Sequence, residues 1–478
     1  DGRGHVITGL TIMRPDEGYV GLFGVVEIAG ISAVGLEGAN VFGNNMVGAL
    51  VGSMRGGDIT GAYAHGIVLG IGGQVGGLVG VQDGGHIAGS HAKGSVMGFD
   101  LVGGLAGRLT GNGIISTSYA ISAVNGNQYA GGLVGQQFKG GTVSESFAAG
   151  SVSGAYFVGG LVGQQVNEPM NLSNVILQSY STASVHASGQ GAGGLVGLQT
   201  YEGDGIFWSY AAGKVTGTLL TGGLVGAQSV PAVIVGSYWN VETTGQPSSP
   251  GSDAKAGLTT EEMFDSSRFE GFNFNLVWDN AGGQTTPFLR RLSENQVFTR
   301  HDLPDGAITA DNRPEIYTVI LTPAALQAIG ANETSRSGRY VLGADIDARE
   351  TAWWNGGAGF TPIGFGIDNG ESFTGTLDGL GYVISNLHVD RPGENHVGLF
   401  GVVKNGTIRR VGLENASVVG GGMVGALAGR LTDGSVSEAF VTGSVKALGD
   451  YAGGLVGYHN GGDVDLSYAT ATVTSMGN

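Results

Sequence analysis

Carboxylates, histidines and side-chain amides are the groups in this 478-residue sequence whose spacing could support chemistry. Asp345-x-Asp347 would put two carboxylates on one face of a strand, where they could serve acid–base work or calcium. A turn is the expected use of the pair. Asp58, Asp83 and Glu145 are scattered through the regular part of the chain. Glycoside cleavage needs two carboxylates at a set separation. Asp58 has an equivalent in Asp463 and Glu145 in Glu438, but neither builds an acidic ladder along neighbouring segments. His86 and His91 show no carboxylate or nucleophile at motif spacing, and no HExxH stretch exists for a zinc peptidase. The sequence has no cysteine, which excludes thiol catalysis, thiolate metal sites and a disulfide framework within it. The expectation is a chain with no catalytic residue, no cofactor site and no metal site.

Amides and aromatics are the remaining candidates, for binding. Gln136-Gln137 and Gln164-Gln165 hold the same place in successive repeats of the chain. Asn127, Gln128, Tyr129 and Tyr156, then Tyr458, His459 and Asn460, mark turns. Such side chains suit a saccharide, and they are equally ordinary solvent-facing residues.

What must position these groups is that repeat. Leu22, Leu50, Leu78, Leu105, Leu133, Leu161, Leu195 and Leu224 each sit in a near-copy of GGLVG, and the motif returns at Leu399, Leu427 and Leu455. The spacing is mostly about 28 residues, a period that marks stacked units, each covering its neighbour's apolar face. An aromatic slot follows nine of these leucines (Tyr63, His91, Tyr119, Phe147, Tyr180, Tyr210, Tyr238, Phe440, Tyr468), usually after a serine. A valine comes five residues later, as at Val68, Val96 and Val124. Short β-branched and aromatic runs between glycines read as strands. Three per period, with no helical periodicity, predict an all-β, right-handed parallel β-helix of about 28 residues per coil. The doubled glycine predicts a tight corner, positive φ or close backbone approach. A phosphate-binding glycine loop is excluded, because it needs a helix after the strand.

Composition agrees. The 94 glycines recur at fixed places among apolar residues, and 41% of the chain is hydrophobic. Charged residues are only 13%, with a net charge of −17. That acidity argues against a nucleic-acid partner and against anionic lipid. No run of 18 apolar residues appears, so no helical membrane insertion is expected.

Residues 1–46 and 378–423 align without a gap. This predicts two arrays joined by a capped junction: a first array over 1–243, a cap and linker over 244–296, an entry cap over 297–376, and a second array over 377–478. Thr259 and Glu262 have capping-box spacing, and Phe272, Phe274, Leu276, Trp278, Phe288 and Leu289 are expected to close the first array. Thr322-Pro323 through Ile329 and Gly330 predicts a helix with a glycine stop. Residues 162–194 carry a six-residue insertion. The expectation is a piece of a longer tandem protein.

The GGLVG coils resemble the GLUG repeat of large secreted bacterial surface proteins. Tyr340-Val341-Leu342 through Asp345-Ile346-Asp347, Pro362-Ile363-Gly364 and Leu377-Asp378-Gly379 resemble the entry into such an array. Ser237-Tyr238-Trp239, Trp278 and Pro287-Phe288-Leu289 resemble its exit. The likeness covers nearly the whole chain; His91 departs from the aromatic slot. It implies a filamentous-haemagglutinin-like or biofilm-matrix adhesin exported by two-partner secretion, at the bacterial cell surface or in biofilm matrix. The partners implied are extracellular polysaccharide or another adhesin copy. The same repeat also occurs beside secreted peptidases. The runner-up readings are therefore a non-catalytic stalk of a secreted peptidase and a carbohydrate-active β-helix enzyme.

Overall fold

Each winding is built from strand segments too short to stand alone, which are stabilised only by pairing with the winding before and after. The computed structural model describes residues 1–167, 172–366 and 371–477. It is 54% strand and forms a right-handed parallel β-solenoid of about 28 residues per coil. Two compact units divide it: Asp1–Asp279 with Thr286–Leu292 and Arg300–Glu315, and Asn280–Thr285 with Ser293–Thr299 and Ile316–Asn478.

One winding of the first unit shows the plan. Strand Tyr119–Asn125 is followed by Gln128–Gly131, Val134–Phe138 and Thr142–Ser144, and Phe147–Gly159 opens the next turn. The last two segments enter separate eight-stranded sheets, and the first two share a 17-stranded sheet. The coil thus has four segments rather than three, because the chain bends at Gly126-Asn127 without leaving its sheet. Pairing is parallel and in register: Tyr119 with Phe147, Val134 with Val162, Ile115 with Val143. Leu50, Leu78, Leu105, Leu133, Leu161, Leu195 and Leu224 stack in the core, each fully buried. Burying one leucine stabilises by about 2 kcal/mol, so the ladder is the main cohesive element.

The glycines act by close approach. A Cβ on Gly132 would lie 2.1 Å from the Gly160 carbonyl oxygen, and one on Gly104 would lie 2.0 Å from that of Gly132. Positive φ falls instead two residues ahead of the glycine pair, on Leu101, Tyr129 and Phe157 at 53°, 53° and 56°. Of the three expectations for the doubled glycine, positive φ is therefore corrected.

Register also locates the insertion. Thr142 pairs with Val175, which places five extra residues before that strand, and a bulge between Ala187 and Gln190 adds one. Part of the insertion, 168–171, lies outside the described residues.

The last winding is closed by Val241–Thr244, a helical turn capped by Asn240, and by the stretch after it. The Ser249 hydroxyl accepts the Val225 N–H at 2.8 Å, and the Ser248 carbonyl accepts that of Gly223 at 3.0 Å. Thr259 and Glu262 form the reciprocal capping bonds, over a 3-10 turn at Glu262–Phe264. The aromatic mass lies against the outer face of the last rungs. Phe269 is 5.2 Å from Tyr238 and Trp278 is 5.8 Å from Tyr210, ring centre to ring centre. Leu276 is 67% exposed and does not close the end as expected, whereas half-buried Phe274 packs on Phe269 and Phe272.

In the second unit, strands Tyr317–Ile320, Arg339–Leu342, Thr376–Asp378 and Thr407–Arg409 pair in turn and lead into the coils. Helix Pro323–Ala328 begins at Thr322, whose hydroxyl accepts the Ala325 N–H. It ends with Ile329 still helical and Gly330 outside the left-handed region, so the expected glycine stop is not used. Asp378 is fully buried between Arg409 and Arg410, with its carboxylate accepting from both Nε groups at 2.8 and 2.9 Å.

Candidate functional site

The outward face of the 17-stranded sheet carries a row of stacked aromatic rings with titratable side chains beside it. Alternation along a strand sets it up: Ala64, Ala92 and Ala120 point into the core, so the residues beside them point out. The aromatic slots stack as a ladder. His91 lies 5.0 Å from Tyr63 and 4.6 Å from Tyr119, within 8° of parallel to both, and the stack continues through Phe147, Tyr180 and Tyr210.

Beside the start of this ladder, Glu37, His65 and Lys93 share one register position on successive strands. His65 Nδ1 is 3.1 Å from Glu37 Oε1, and His65 Nε2 is 3.1 Å from His91 Nε2. The Nδ1–H of His65 donates to the carboxylate. Burial holds His91 down to about 3, helped by Lys93 and His65, so its ring is neutral at ordinary pH. Burial, then the Glu37 carboxylate, pushes the Tyr63 hydroxyl up. Sequence reading picked out His91 but missed Glu37 and His65. Glu37 and His65 stand one full coil period apart in the sequence, which was the available signal.

His86 does not join this group. Its Nε2 lies 2.6 Å from the Ser116 hydroxyl, one winding on, and Asp58 stands beside it in register. Asp83 is exposed and pairs in register with Arg55, which binds Glu27 at 2.9 Å. The Glu145 backbone takes positive φ at a corner. None of these is brought to another carboxylate.

The glutamine pairs split. Gln136 donates to Gln164 at 2.7 Å on the outer side. Gln137 and Gln165 are fully buried and continue as an amide ladder to Gln199 and Gln228, which corrects their reading as solvent-facing. Asn127 and Asn125 line a shallow groove of about 420 Å³ with Ser153, His186 and Ser188, floored by Gly98, Gly126 and Gly154. Gln128 pairs with Tyr156, which is 42% exposed, and Tyr129 stacks on Phe157 at 5.8 Å. In the second unit Tyr458 lies edge-on to Tyr451 with Arg430 over its ring, His459 Nε2 meets the Gly462 carbonyl at 3.2 Å, and Asn460 pairs with Thr432.

Asp345 and Asp347 are occupied by backbone. Asp345 accepts the Val383 N–H at 2.9 Å. Asp347 accepts the Arg349 N–H and the Asn386 amide and pairs with the Arg349 side chain; these bonds, Asn386 foremost, hold its carboxyl below the usual range. Among the described residues no group of three or more His, Asp or Glu is arranged to hold a metal ion, and no helix is long and apolar enough to cross a membrane.

Residues 71–97, the winding that contains His86 and His91, match the GLUG motif. This chain carries a GLUG repeat. Halomucin of Haloquadratum walsbyi is 32% identical over 348 residues, covering 50% of this chain and 4% of halomucin. A candidate Gly-rich membrane protein of Evansella cellulosilytica is 39% identical over 95 residues, covering 19% of this chain and 10% of that protein. The chain therefore spans a small fraction of either relative. A crystal structure of a candidate immunoglobulin A1 protease from Bacteroides ovatus superposes with a TM-score of 0.32 at 17% identity, covering 61% of this chain and 76% of that one. At that score the likeness fixes neither fold nor function.

Proposed function

We propose that this chain is a non-enzymatic segment of an exported bacterial adhesin, a stiff extracellular spacer that holds cells to each other, to surfaces or to matrix polysaccharide. The observation that carries the proposal is the in-register stacking of the windings, which sets outward side chains at a fixed spacing along one long face. Repetition turns weak contacts into avidity without a deep pocket. The groove over Gly98, Gly126 and Gly154, rimmed by the amides of Asn125 and Asn127, the hydroxyls of Ser153 and Ser188 and the His186 ring, has the chemistry for a sugar chain lying across the coils. Export by two-partner secretion and a place in biofilm matrix follow from the GLUG resemblance and belong to the same proposal.

The test is binding of this chain to a panel of matrix polysaccharides and to itself, by glycan array and sedimentation. Retention of at least one polysaccharide, or self-association, is expected. Release of shortened saccharide products by the purified chain would overturn the non-enzymatic reading, and absence of both binding and self-association would overturn the adhesive one.

A further inference from the structure

His65 and His91 approach each other through their Nε2 atoms, 3.1 Å apart. Two imidazole nitrogens on one ion at about 2.0–2.1 Å lie ~2.9 Å apart at a right angle and ~3.4 Å apart at the tetrahedral angle. The observed separation falls between these. We propose that His65 and His91 chelate one divalent transition-metal ion of the zinc, nickel or copper class through their Nε2 atoms, with water completing the coordination.

Both rings are already oriented for this. Glu37 accepts the Nδ1–H of His65 at 3.1 Å, the carboxylate–histidine arrangement that fixes the tautomer and leaves Nε2 to bind. His91 is clamped between Tyr63 and Tyr119, parallel to both within 8°, so its ring plane is set by packing. The His65 side chain is 25% exposed, which leaves an approach from solvent. Metal entry replaces the contact between the two Nε2 atoms: the proton His91 carries on Nε2 moves to its own Nδ1, so both rings bind as neutral imidazoles with no net proton release. Nitrogen donors with no carboxylate bound to the ion select zinc, nickel and copper over calcium and magnesium. Lys93, next after His65 in register, places a positive charge nearby and keeps the affinity modest.

His91 is also the one slot between Tyr63 and Phe147 that departs from a carbocyclic ring, which makes a clean control available. His91→Tyr restores a ring that the neighbouring windings already stack, so folding is preserved while the ligand is lost. His65→Ala takes a side chain found at the same ladder position in Ala149.

The experiment titrates the intact chain and its His91→Tyr, His65→Ala and Glu37→Gln variants with zinc, nickel and copper chloride in a calorimeter. Calcium chloride serves as the comparison, and circular dichroism monitors the fold. The wild type is expected to bind one equivalent more than His91→Tyr or His65→Ala, the other seven histidines cancelling in the difference. Glu37→Gln is expected to keep that equivalent at about 10- to 100-fold weaker affinity. Copper electron paramagnetic resonance is expected to show nitrogen coupling that disappears in His91→Tyr. Equal stoichiometry in wild type and both folded histidine variants overturns the proposal, as does calcium binding at the same site with equal affinity.

Discussion

Gln165 donates from Nε2 to Oε1 of Gln137 across one winding, at 2.9 Å, with both side chains fully buried. Its own Oε1 accepts from Gln199 at 2.7 Å, and Gln199 in turn accepts from Gln228. A buried amide is tolerated because every winding supplies the partner for the next. Gln165→Leu keeps the volume but strands an acceptor on Gln137 and a donor on Gln199. The expected loss is about 2–4 kcal/mol, read as a lower urea midpoint at unchanged slope. An unchanged midpoint would show that the ladder adds nothing.

Gly132→Ala tests the close-approach role of the doubled glycine. Its Cβ would sit 2.1 Å from the backbone oxygen of Gly160, which no rotamer relieves. The two windings must separate, at a cost of more than about 3 kcal/mol. A Cβ on Gly89 would meet nothing nearer than the Gly61 nitrogen at 4.0 Å, so Gly89→Ala has only its positive φ of 56° against it. That variant is expected to lose about 1 kcal/mol, the ordinary penalty for a left-handed alanine. If both variants melt together, backbone contact is not what the GGLVG motif maintains.

The fold was legible because stacking forces one winding's chemistry onto the next. Leu133 lies over Leu105 and under Leu161 for the same reason that all three recur once per coil. The capping bonds of Thr259 and Glu262 were legible because they are local, although the turn they start is 3-10. Three features were hidden. Gln137 and Gln165 look like surface in the sequence, since their burial depends on a partner a whole winding away. Leu276 reads as core, yet it is exposed while Trp278 is buried, a difference set by how the cap folds back. His65 and His91 meet diagonally between ladder positions, 26 residues apart, so no single-period alignment pairs them. The contact between His65 and His91 is therefore the part of the candidate site that the period could not reveal.

His91 should give the chain an acid-sensitive stability. Its folded pKa is near 3 against 6.5 unfolded, so the unfolded state takes up a proton first as pH falls. Stability is fully present above pH 6.5 and is lost progressively as pH falls toward 3. The groups facing this ring are His65, Lys93, Tyr63, Tyr119 and, through His65, Glu37. After allowing for partial solvent screening, the loss between pH 7.5 and 5 is about 1–2 kcal/mol. His91→Tyr should remove that part of the slope. Parallel stability–pH curves for the two proteins would refute it.

Asp204 should act in the opposite direction. Its Oδ1 accepts the backbone N–H and the amide of Asn174 at 3.0 and 2.9 Å, while Oδ2 is buried with no hydrogen-bond partner among the described residues. Burial raises its pKa to about 6, against the pull of the Asn174 hydrogen bonds. A folded pKa above the unfolded 3.8 means stability is fully present below pH 3.8 and is lost as pH rises through 6. Asp204→Asn keeps the acceptor and removes the charge. It is expected to melt with the wild type near pH 4 and to be more stable by about 1–3 kcal/mol at pH 7.5. A gap that stays constant between those two pH values would show that the Asp204 carboxylate is not the group being strained.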